Sequence, residues 1–223
     1  MAAQILFIFK RLKGILVAIK KDAVLRIIFE TAECYEKNLK NKNLLFIYED
    51  KHHEIDYYEV VFEASNFLHL TGLKVDKSKL SAQVFYQRCL AKRLSVSDFE
   101  IAPDGTTELK LDVLPQLVRK NLSARMIGDF SSNGVKLYTE RIAGNVHACV
   151  GFVTDQNGRK NVPNTILKED VRNITKRANR IVLTYRKSKE DELYSEMVYS
   201  TKNYAWDKIK LPKGCEYLPL PSR

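Results

Sequence analysis

Three turn signals at short spacing in the second half of the chain restrict its fold more than any other feature. They are Ser132-Asn133-Gly134, Gly144-Asn145 and Gln156-Asn157-Gly158. Asparagine and glycine tolerate the positive φ angles that tight hairpin turns require. From Ala124 onward, polar and apolar residues also alternate with a period of two between these turns, which is typical of strands. Residues 125–130, 135–143 and 146–154 are therefore predicted to be successive antiparallel strands.

The remaining elements complete a predicted α+β fold, in which N-terminal helices precede a twisted antiparallel sheet with one inserted helix. Pro163-Asn164-Thr165 is expected to open that inserted helix, which would run to about Arg177. A last hairpin is predicted over residues 180–187 and 193–200. Upstream strands are predicted at 44–49 and 55–63, and helices at 23–42, at 79–93 with Ser78 as N-cap, and at 108–120 with Asp112 as cap and Pro115 in its first turn.

The charge of the chain is concentrated at its two ends. Residues 136–223 carry 17 Lys/Arg and 10 acidic residues, and residues 1–25 carry five Lys/Arg and one acidic residue. Such a distribution suits a polyanion, so RNA is the expected partner, although many basic proteins bind no nucleic acid. Apolar residues recur at helical spacing over residues 5–19, between basic ones. This helix would either pack on the domain or lie on a membrane or an RNA.

Composition also excludes several classes of protein. The four cysteines are far apart in sequence and lack metal-ligand spacing, so a cytoplasmic protein with reduced thiols is expected. No apolar run reaches the length of a membrane span, and no stable membrane insertion is expected. The sequence lacks the Gly-rich nucleotide-binding motifs and zinc-protease motifs, and His52-His53 is interpreted as a solvated turn. Neither a cofactor nor a metal is therefore predicted.

The stretch from Asn66 to Gly72 contains the most suggestive titratable group. If it is an extended strand, His69 and Thr71 share one face at the strand's end. Histidine has a pKa suited to proton transfer near neutral pH, which makes His69 a candidate base or acid and Thr71 a residue that orients it or the phosphate. The alternative is that His69 is an ordinary hydrogen-bonded core residue.

The predicted inserted helix would place Lys168, Arg172 and Lys176 in one basic stripe, at i, i+4 and i+8. Asn164 or Thr165 would cap its N-terminus, where free N–H groups favour an anion. These five residues are the candidate phosphate- or RNA-binding set. The alternative is that Arg172 simply pairs with Glu169 on the surface.

Tyrosine and arginine side chains on the predicted strands complete the candidate site. Tyr138 and Tyr185 are expected to stack a base or donate a proton, and Arg141 is expected to hold a phosphate. Such groups suit metal-free RNA cleavage, in which a 2′-hydroxyl attacks the adjacent phosphate and a cation opposes the charge that develops there. The catalytic candidates are therefore His69, Thr71, Tyr138, Arg141 and Tyr185.

Several ordered motifs between about Leu44 and Tyr199 resemble those of one family, the phage- and mobile-element-associated barnase/EndoU/colicin/RelE-like (BECR) nucleases. The motifs are Phe67-Leu68-His69-Leu70-Thr71-Gly72-Leu73, Phe85-Tyr86 with Cys89-Leu90, Lys110-Leu111-Asp112-Val113-Leu114, Met126-Ile127-Gly128-Asp129-Phe130, Leu137-Tyr138-Thr139-Glu140 with Ala143-Gly144-Asn145, and Val162-Pro163-Asn164-Thr165 with Leu167-Lys168-Glu169-Asp170 and Arg172.

The resemblance implies a BECR-like fold and a metal-independent, toxin-like ribonuclease of a phage or mobile element, with an antitoxin or inhibitor protein as a possible second partner. Its implied domain would span residues 44–206, after a helical segment at 1–43 and before an irregular tail at 207–223. Two alternatives stay open. One is a non-catalytic RNA- or DNA-binding protein of a mobile element, and the other is an interaction protein that docks through its basic N-terminal helix.

Overall fold

The computed structural model describes residues 19–119, 121–131 and 137–221. Helices and strands follow one another in a mixed α+β order. They are α1 (Lys21–Asn38), β1 (Lys42–Glu49), β2 (Ile55–Phe62), α2 (Asn66–Thr71), α3 (Ala82–Leu90), α4 (Thr106–Arg119), β3 (Met126–Asp129), β4 (Arg141–Gly144), β5 (Cys149–Thr154), β6 (Asn161–Leu167), β7 (Asn179–Ser188) and β8 (Glu196–Ser200). Within the described ranges, no helix combines the length and the apolarity that a membrane crossing needs.

The eight strands form one antiparallel sheet in the order β2-β1-β7-β3-β4-β5-β6, with β8 paired to β7 beside β3. The sheet curls until its two outermost strands approach each other. Asn161 at the start of β6 donates from Nδ2 to the carbonyl oxygen of Glu59 on β2 over 2.8 Å. The result is a half-barrel, and the predicted α+β class with an antiparallel sheet is confirmed.

The helices fill the concave face of this half-barrel. Val24, Ile28 and Tyr35 form the buried stripe of α1 and join a core that includes Phe67 of α2 and Phe152 of β5. The rings of Tyr35 and Phe67 lie 5.2 Å apart between centroids. Burying each large apolar side chain contributes about 1.5–3 kcal/mol, so this packing is the main force that holds the helices on the sheet.

The convex face is covered by the chain that follows β8. Leu45 and Ile47 of β1 and Val182 of β7 pack there against Cys215 and Leu218. The apolar residues of β1 are divided between the two cores because alternate residues of a strand point to opposite faces of the sheet. The C-terminal segment is irregular in secondary structure apart from one 3₁₀ turn, Trp206–Lys208, but it completes the second core.

The prediction that the His69 stretch is a strand was wrong. It forms the short helix α2, in which every residue except His69 is buried. Gly72 ends the helix with a left-handed conformation, φ 71°, and Thr71 Oγ1 donates to the carbonyl oxygen of Leu68 over 2.7 Å. A short apolar run does not distinguish a strand from a buried helix by its pattern, and the glycine acts here as a helix C-cap.

The prediction of an inserted helix at residues 163–177 was also wrong. Its first part is strand β6, which pairs with β5, and its second part contains only a 3₁₀ turn, Val171–Asn173. Pro163 lies beside a bulge between Gly151 and Phe152 and does not interrupt the pairing. Residues 161–167 instead hydrogen-bond to the backbone N–H and C=O groups along the edge of β5. This tertiary pairing outweighs the local preference for a helix start. The helices that do interrupt the strands are α2, α3 and α4.

Two helix starts differ from prediction. Ser81, not Ser78, caps α3 by accepting from the Val84 N–H. Helix α4 begins at Thr106, so Pro115 lies in its interior and Asp112 is not its cap. The predicted helix at residues 5–19 and the predicted turn at 132–134 lie outside the described residues, apart from Ile19.

Candidate active site

A cleft of about 320 Å³ opens where β1 ends and β7 begins. Its polar lining consists of three cations, two carboxylates and an amide: Arg141, Lys176, Arg177, Asp50, Asp129 and Asn179. These residues come from four places that are distant in sequence, namely the β1–β2 turn, the hairpin of β3 and β4, the segment before β7, and β7 itself. The curl of the sheet brings them together.

Arg141 is the best-positioned cation of the cleft. It is paired in register with Asp129 on the neighbouring strand, and its Nε lies 3.1 Å from Asp129 Oδ1. Its Nη1 donates to the Tyr48 hydroxyl over 3.0 Å, and the guanidinium also lies 5.0 Å from the Tyr58 ring centroid. No described residue accepts a hydrogen bond from Nη2, so this donor is available to a phosphate oxygen.

The contacts of Arg141 also secure its charge. Burial opposes the charged form, but the hydrogen bonds and the attraction from Tyr48 and Asp129 outweigh it, and the pKa of Arg141 is raised. The Tyr48 hydroxyl in turn donates to Asp56 Oδ2 over 2.8 Å. The chain of contacts Asp129–Arg141–Tyr48–Asp56 therefore fixes both the position and the orientation of the guanidinium.

The segment before β7 brings two further cations to the cleft. Its Lys176 N–H donates to the carbonyl oxygen of Asp129 over 3.1 Å, and Thr175 forms a bridge with Phe130. This close approach requires a glycine in β3, because a Cβ on Gly128 would overlap the carbonyl oxygen of Arg177. Gly128 thus allows the backbone that carries Lys176 and Arg177 to lie directly against β3.

Asp50 closes the cleft from the β1–β2 turn. Burial opposes its charge, but hydrogen bonds from the backbone N–H groups of Glu54 and His52 and the nearby His52 and Arg177 lower the pKa of this carboxyl. It therefore stays ionised at neutral pH. Asp50 limits the positive potential of the cleft, and its Oδ1 accepts both of those backbone hydrogen bonds.

Together these groups suit a phosphodiester. Three cations that line one cleft can bind a phosphate and oppose the additional charge of a pentacoordinate phosphorus. The Asp129 carboxylate is beside them, with 63% of its side chain exposed. Among the described residues, His, Cys, Asp and Glu side chains form no group of three or more that is spaced to bind a metal ion.

Of the ten residues predicted from the sequence, Arg141 and Lys176 line this cleft. His69 is the one exposed residue of α2, although part of its imidazole is shielded from water, and its carbonyl oxygen accepts from Lys110 Nζ over 3.0 Å. Burial first, then the charges of Lys77 and Lys110, lower the pKa of His69. His69 is not among the residues that line the cleft, and no described hydrogen bond joins it to them.

Three other catalytic candidates have different surroundings. Thr71 is fully buried and bonds only within its own turn. Tyr185 is fully buried on the convex side, where its hydroxyl donates to the carbonyl oxygen of Pro219 and burial raises its pKa to about 12. Tyr138 is 81% exposed, and its carbonyl oxygen accepts from Asn164 Nδ2.

The predicted basic stripe does not form, because its residues are not on a helix. Lys168 pairs with Asp112 over 2.5 Å, and Arg172 forms a two-pronged pair with Asp170. Thr165 is buried within β6, while Asn164 Oδ1 accepts from Thr139 Oγ1 over 3.2 Å. Only Lys176 of the stripe reaches the cleft.

Sequence reasoning missed Tyr48, Asp50, Asp129 and Arg177. Asp129 had a partial signal, since it stands next to a glycine at the end of a predicted strand, across a predicted turn from Arg141. Strand β4 begins at Arg141 and not at the predicted residue 135, and only the observed register pairs the two residues. Tyr48 carried no signal, because an aromatic residue in a strand is typical of any core.

Comparison with known proteins identifies one family. No curated protein and no solved structure matches the chain. A family model described as phage-Barnase-EndoU-ColicinE5/D-RelE like nuclease4 (PBECR4) matches residues 27–203, which include every residue of the cleft. Because this match spans most of the chain, the protein belongs to the phage-Barnase-EndoU-ColicinE5/D-RelE like nuclease4 family.

Proposed function

We propose that this nuclease cleaves RNA without a metal ion, by attack of a 2′-hydroxyl on the adjacent phosphate. The 2′-oxygen bonds to phosphorus, the bond to the 5′-oxygen breaks, and the products carry a 2′,3′-cyclic phosphate and a 5′-hydroxyl. The observation that supports this proposal is the fixed Arg141 guanidinium with an open Nη2, beside Lys176 and Arg177. Protein cations would supply there the charge stabilisation that other nucleases obtain from metal ions.

The groups around Arg141 suggest how the proton transfers are divided. The Asp129 carboxylate is exposed in the cleft and uses Oδ1 for Arg141, so its other oxygen can accept the proton of the 2′-hydroxyl. The departing 5′-oxygen takes its proton from water, or from His69 if His69 is the acid. His69 stays a candidate acid or base from the sequence prediction. The contact between Asp129 and Arg141 supports Asp129 as the base, and substitution of His69 distinguishes the two assignments.

The test is incubation of purified protein with total bacterial RNA in EDTA. The wild type is expected to give discrete fragments with 2′,3′-cyclic phosphate ends. Arg141→Ala should reduce the rate by about 10²–10³-fold, as for loss of one donor to a developing oxyanion. Arg141→Lys keeps the charge but loses the planar fork, and should also be impaired. Arg88→Ala is the matched control, because Arg88 lies on α3, is not part of the cleft and pairs with Asp98.

Two further comparisons test the mechanism. An oligonucleotide with a 2′-deoxy group at the cleavage site should stay intact, because it lacks the nucleophile. His69→Ala should retain most activity if Asp129 is the base, and should lose it if the sequence prediction is right. If the wild-type protein leaves RNA of every class uncut, the proposal is refuted.

The second candidate function is non-catalytic binding of RNA or DNA, which the basic cleft alone would support. In that case RNA would shift on a gel but would not be cut, and Arg141→Ala would weaken the shift.

We further propose that the protein acts in the cytoplasm as a toxin-like enzyme of a phage or mobile element. An antitoxin or inhibitor would then present acidic residues to the three cations, and its addition should stop cleavage.

A further inference from the structure

A second cluster of nucleic-acid-compatible side chains lies on the convex face, next to the cleft. We name it the Trp206 surface and define it as Arg180, Lys202, Tyr204, Trp206 and Lys208. The rings of Tyr204 and Trp206 lie 4.6 Å apart between centroids at an interplanar angle of 42°. The Arg180 guanidinium lies 5.9 Å from the Tyr204 ring centroid and donates to Thr201 Oγ1 over 2.6 Å.

This surface is continuous with the cleft at one end of the sheet. Arg180 of β7 is paired in register with Glu49 of β1. The residues next to this pair in the chain, Asn179 and Asp50, line the cleft. Because neighbouring residues of a strand point to opposite faces, Asn179 faces the cleft and Arg180 faces the Trp206 surface. A chain that leaves the cleft over this end of the sheet meets Arg180 and Tyr204 first.

The segment that carries the two rings is basic, although the Glu49 carboxylate of β1 also lies against the Tyr204 hydroxyl. The segment 201–213 carries four lysines, all of them exposed, and one acidic residue, Asp207. Lys202 and Lys208 each stand two positions from the Tyr204–Trp206 pair, with Asn203 and Asp207 between. Cations interleaved with half-buried aromatic rings are the combination that binds single-stranded nucleic acid, since the rings stack on bases and the lysines track the phosphates.

We propose that the Trp206 surface is an extended RNA-binding subsite, on which a base beyond the cleaved phosphate stacks against Tyr204 or Trp206. This inference rests on the proposed ribonuclease function for the identity of the ligand, single-stranded RNA. The alternative is that both rings serve only the convex core, against which they partly pack. A purely structural pair would not respond to RNA.

Trp206 provides its own probe, because it is the only tryptophan among the 223 residues. The experiment titrates the full-length protein with a non-cleavable 2′-O-methyl oligonucleotide of about ten nucleotides, a length within the site sizes of single-strand binders. Tryptophan fluorescence reports stacking, and the anisotropy of a dye on the oligonucleotide reports affinity. We expect quenching of Trp206 that saturates together with the anisotropy change.

Two variants test the surface independently of the indole. Tyr204→Leu and Lys208→Gln should each weaken binding of the oligonucleotide, with the loss of a stacking ring costing about tenfold. Lys37→Gln is the matched control for Lys208→Gln, since Lys37 is an exposed lysine on α1, in the helical layer of the opposite face. It should bind as the wild type does. Circular dichroism confirms that each variant is folded.

The outcomes separate this inference from the proposed function. Cleavage of a dinucleotide, which occupies only the cleft, should be unchanged in Tyr204→Leu, while cleavage of the longer RNA falls. Binding with no change in Trp206 fluorescence, or equal affinities for Lys208→Gln and Lys37→Gln, would overturn the subsite. Quenching without any cleavage by the wild type would support the subsite and refute the ribonuclease proposal.

Discussion

Arg141 on β4 donates a hydrogen bond to the hydroxyl of Tyr48 on β1, although β7 and β3 lie between these two strands in the sheet. In a flat sheet, strands three positions apart are about 14 Å from each other. The contact therefore exists because the sheet curls, and the curl gives the cleft its shape. The same hydroxyl donates to Asp56, so Tyr48 links the guanidinium to a second carboxylate.

Tyr48→Phe should reduce kcat by about tenfold with a smaller change in KM, because a hydrogen bond to a charged group is lost and Arg141 is less well oriented. Tyr58→Phe is the matched control, since Tyr58 contacts Arg141 through its ring face, which phenylalanine retains. Steady-state kinetics on a fluorogenic RNA checks both. Equal effects of the two substitutions would mean that the Tyr48 hydroxyl does not position Arg141.

Gly128→Ala should lower activity strongly and stability by about 1–3 kcal/mol, because the new methyl group overlaps the Arg177 backbone and displaces the segment that carries Lys176. Gly158→Ala controls for glycine loss, since a Cβ there meets no atom within 4 Å, although its φ is 67°. Urea unfolding and RNA cleavage are measured side by side. A Gly128→Ala protein with wild-type activity would show that the close approach is not needed for the cleft.

Tyr185→Phe should leave cleavage unchanged and destabilise the protein by about 0.5–1.5 kcal/mol, because the part-buried hydrogen bond to the carbonyl oxygen of Pro219 is lost. Thermal unfolding gives the stability and the RNA assay gives the rate. If cleavage fell sharply while unfolding stayed the same, Tyr185 would act in the reaction as the sequence pattern predicted.

The stability of the protein should fall as the pH drops below about 6.5, in part through His69. Burial and the charges of Lys77 and Lys110 lower the pKa of His69 in the folded state, so the unfolded chain binds its proton first. The contribution of His69 to the free energy of unfolding is complete above its pKa in the unfolded chain. It is lost as the pH falls towards its lower pKa in the folded protein. Denaturant unfolding at about pH 7.5 and about pH 5 measures it.

His69→Gln should flatten this part of the pH dependence, since glutamine does not titrate. The substitution is best compared with His52→Gln, because His52 is an exposed residue of the β1–β2 turn. If the free energy of unfolding of the His69 variant changes with pH as it does in the wild type, the pH dependence belongs to other groups.

The sequence alone determined the features that depend on local interactions. Asparagine and glycine mark the turns after Gly144 and Gln156, alternation marks the strands around them, and the charge indicates a polyanion as partner. Arg141 was predicted from its place on a strand and Lys176 from a basic stripe on a helix that does not form, and both line the cleft. These properties follow from the backbone preferences and side chains of neighbouring residues.

The tertiary structure alone decided the features that depend on distant parts of the chain. Residues 161–167 became β6 because β5 offered them a partner, and the His69 stretch became a helix because its apolar residues are buried against α1 and the sheet. The cleft combines Asp50, Asp129 and Asn179 only through strand register and curl. Register and curvature are set by packing of the whole sheet, and no short stretch of sequence encodes them.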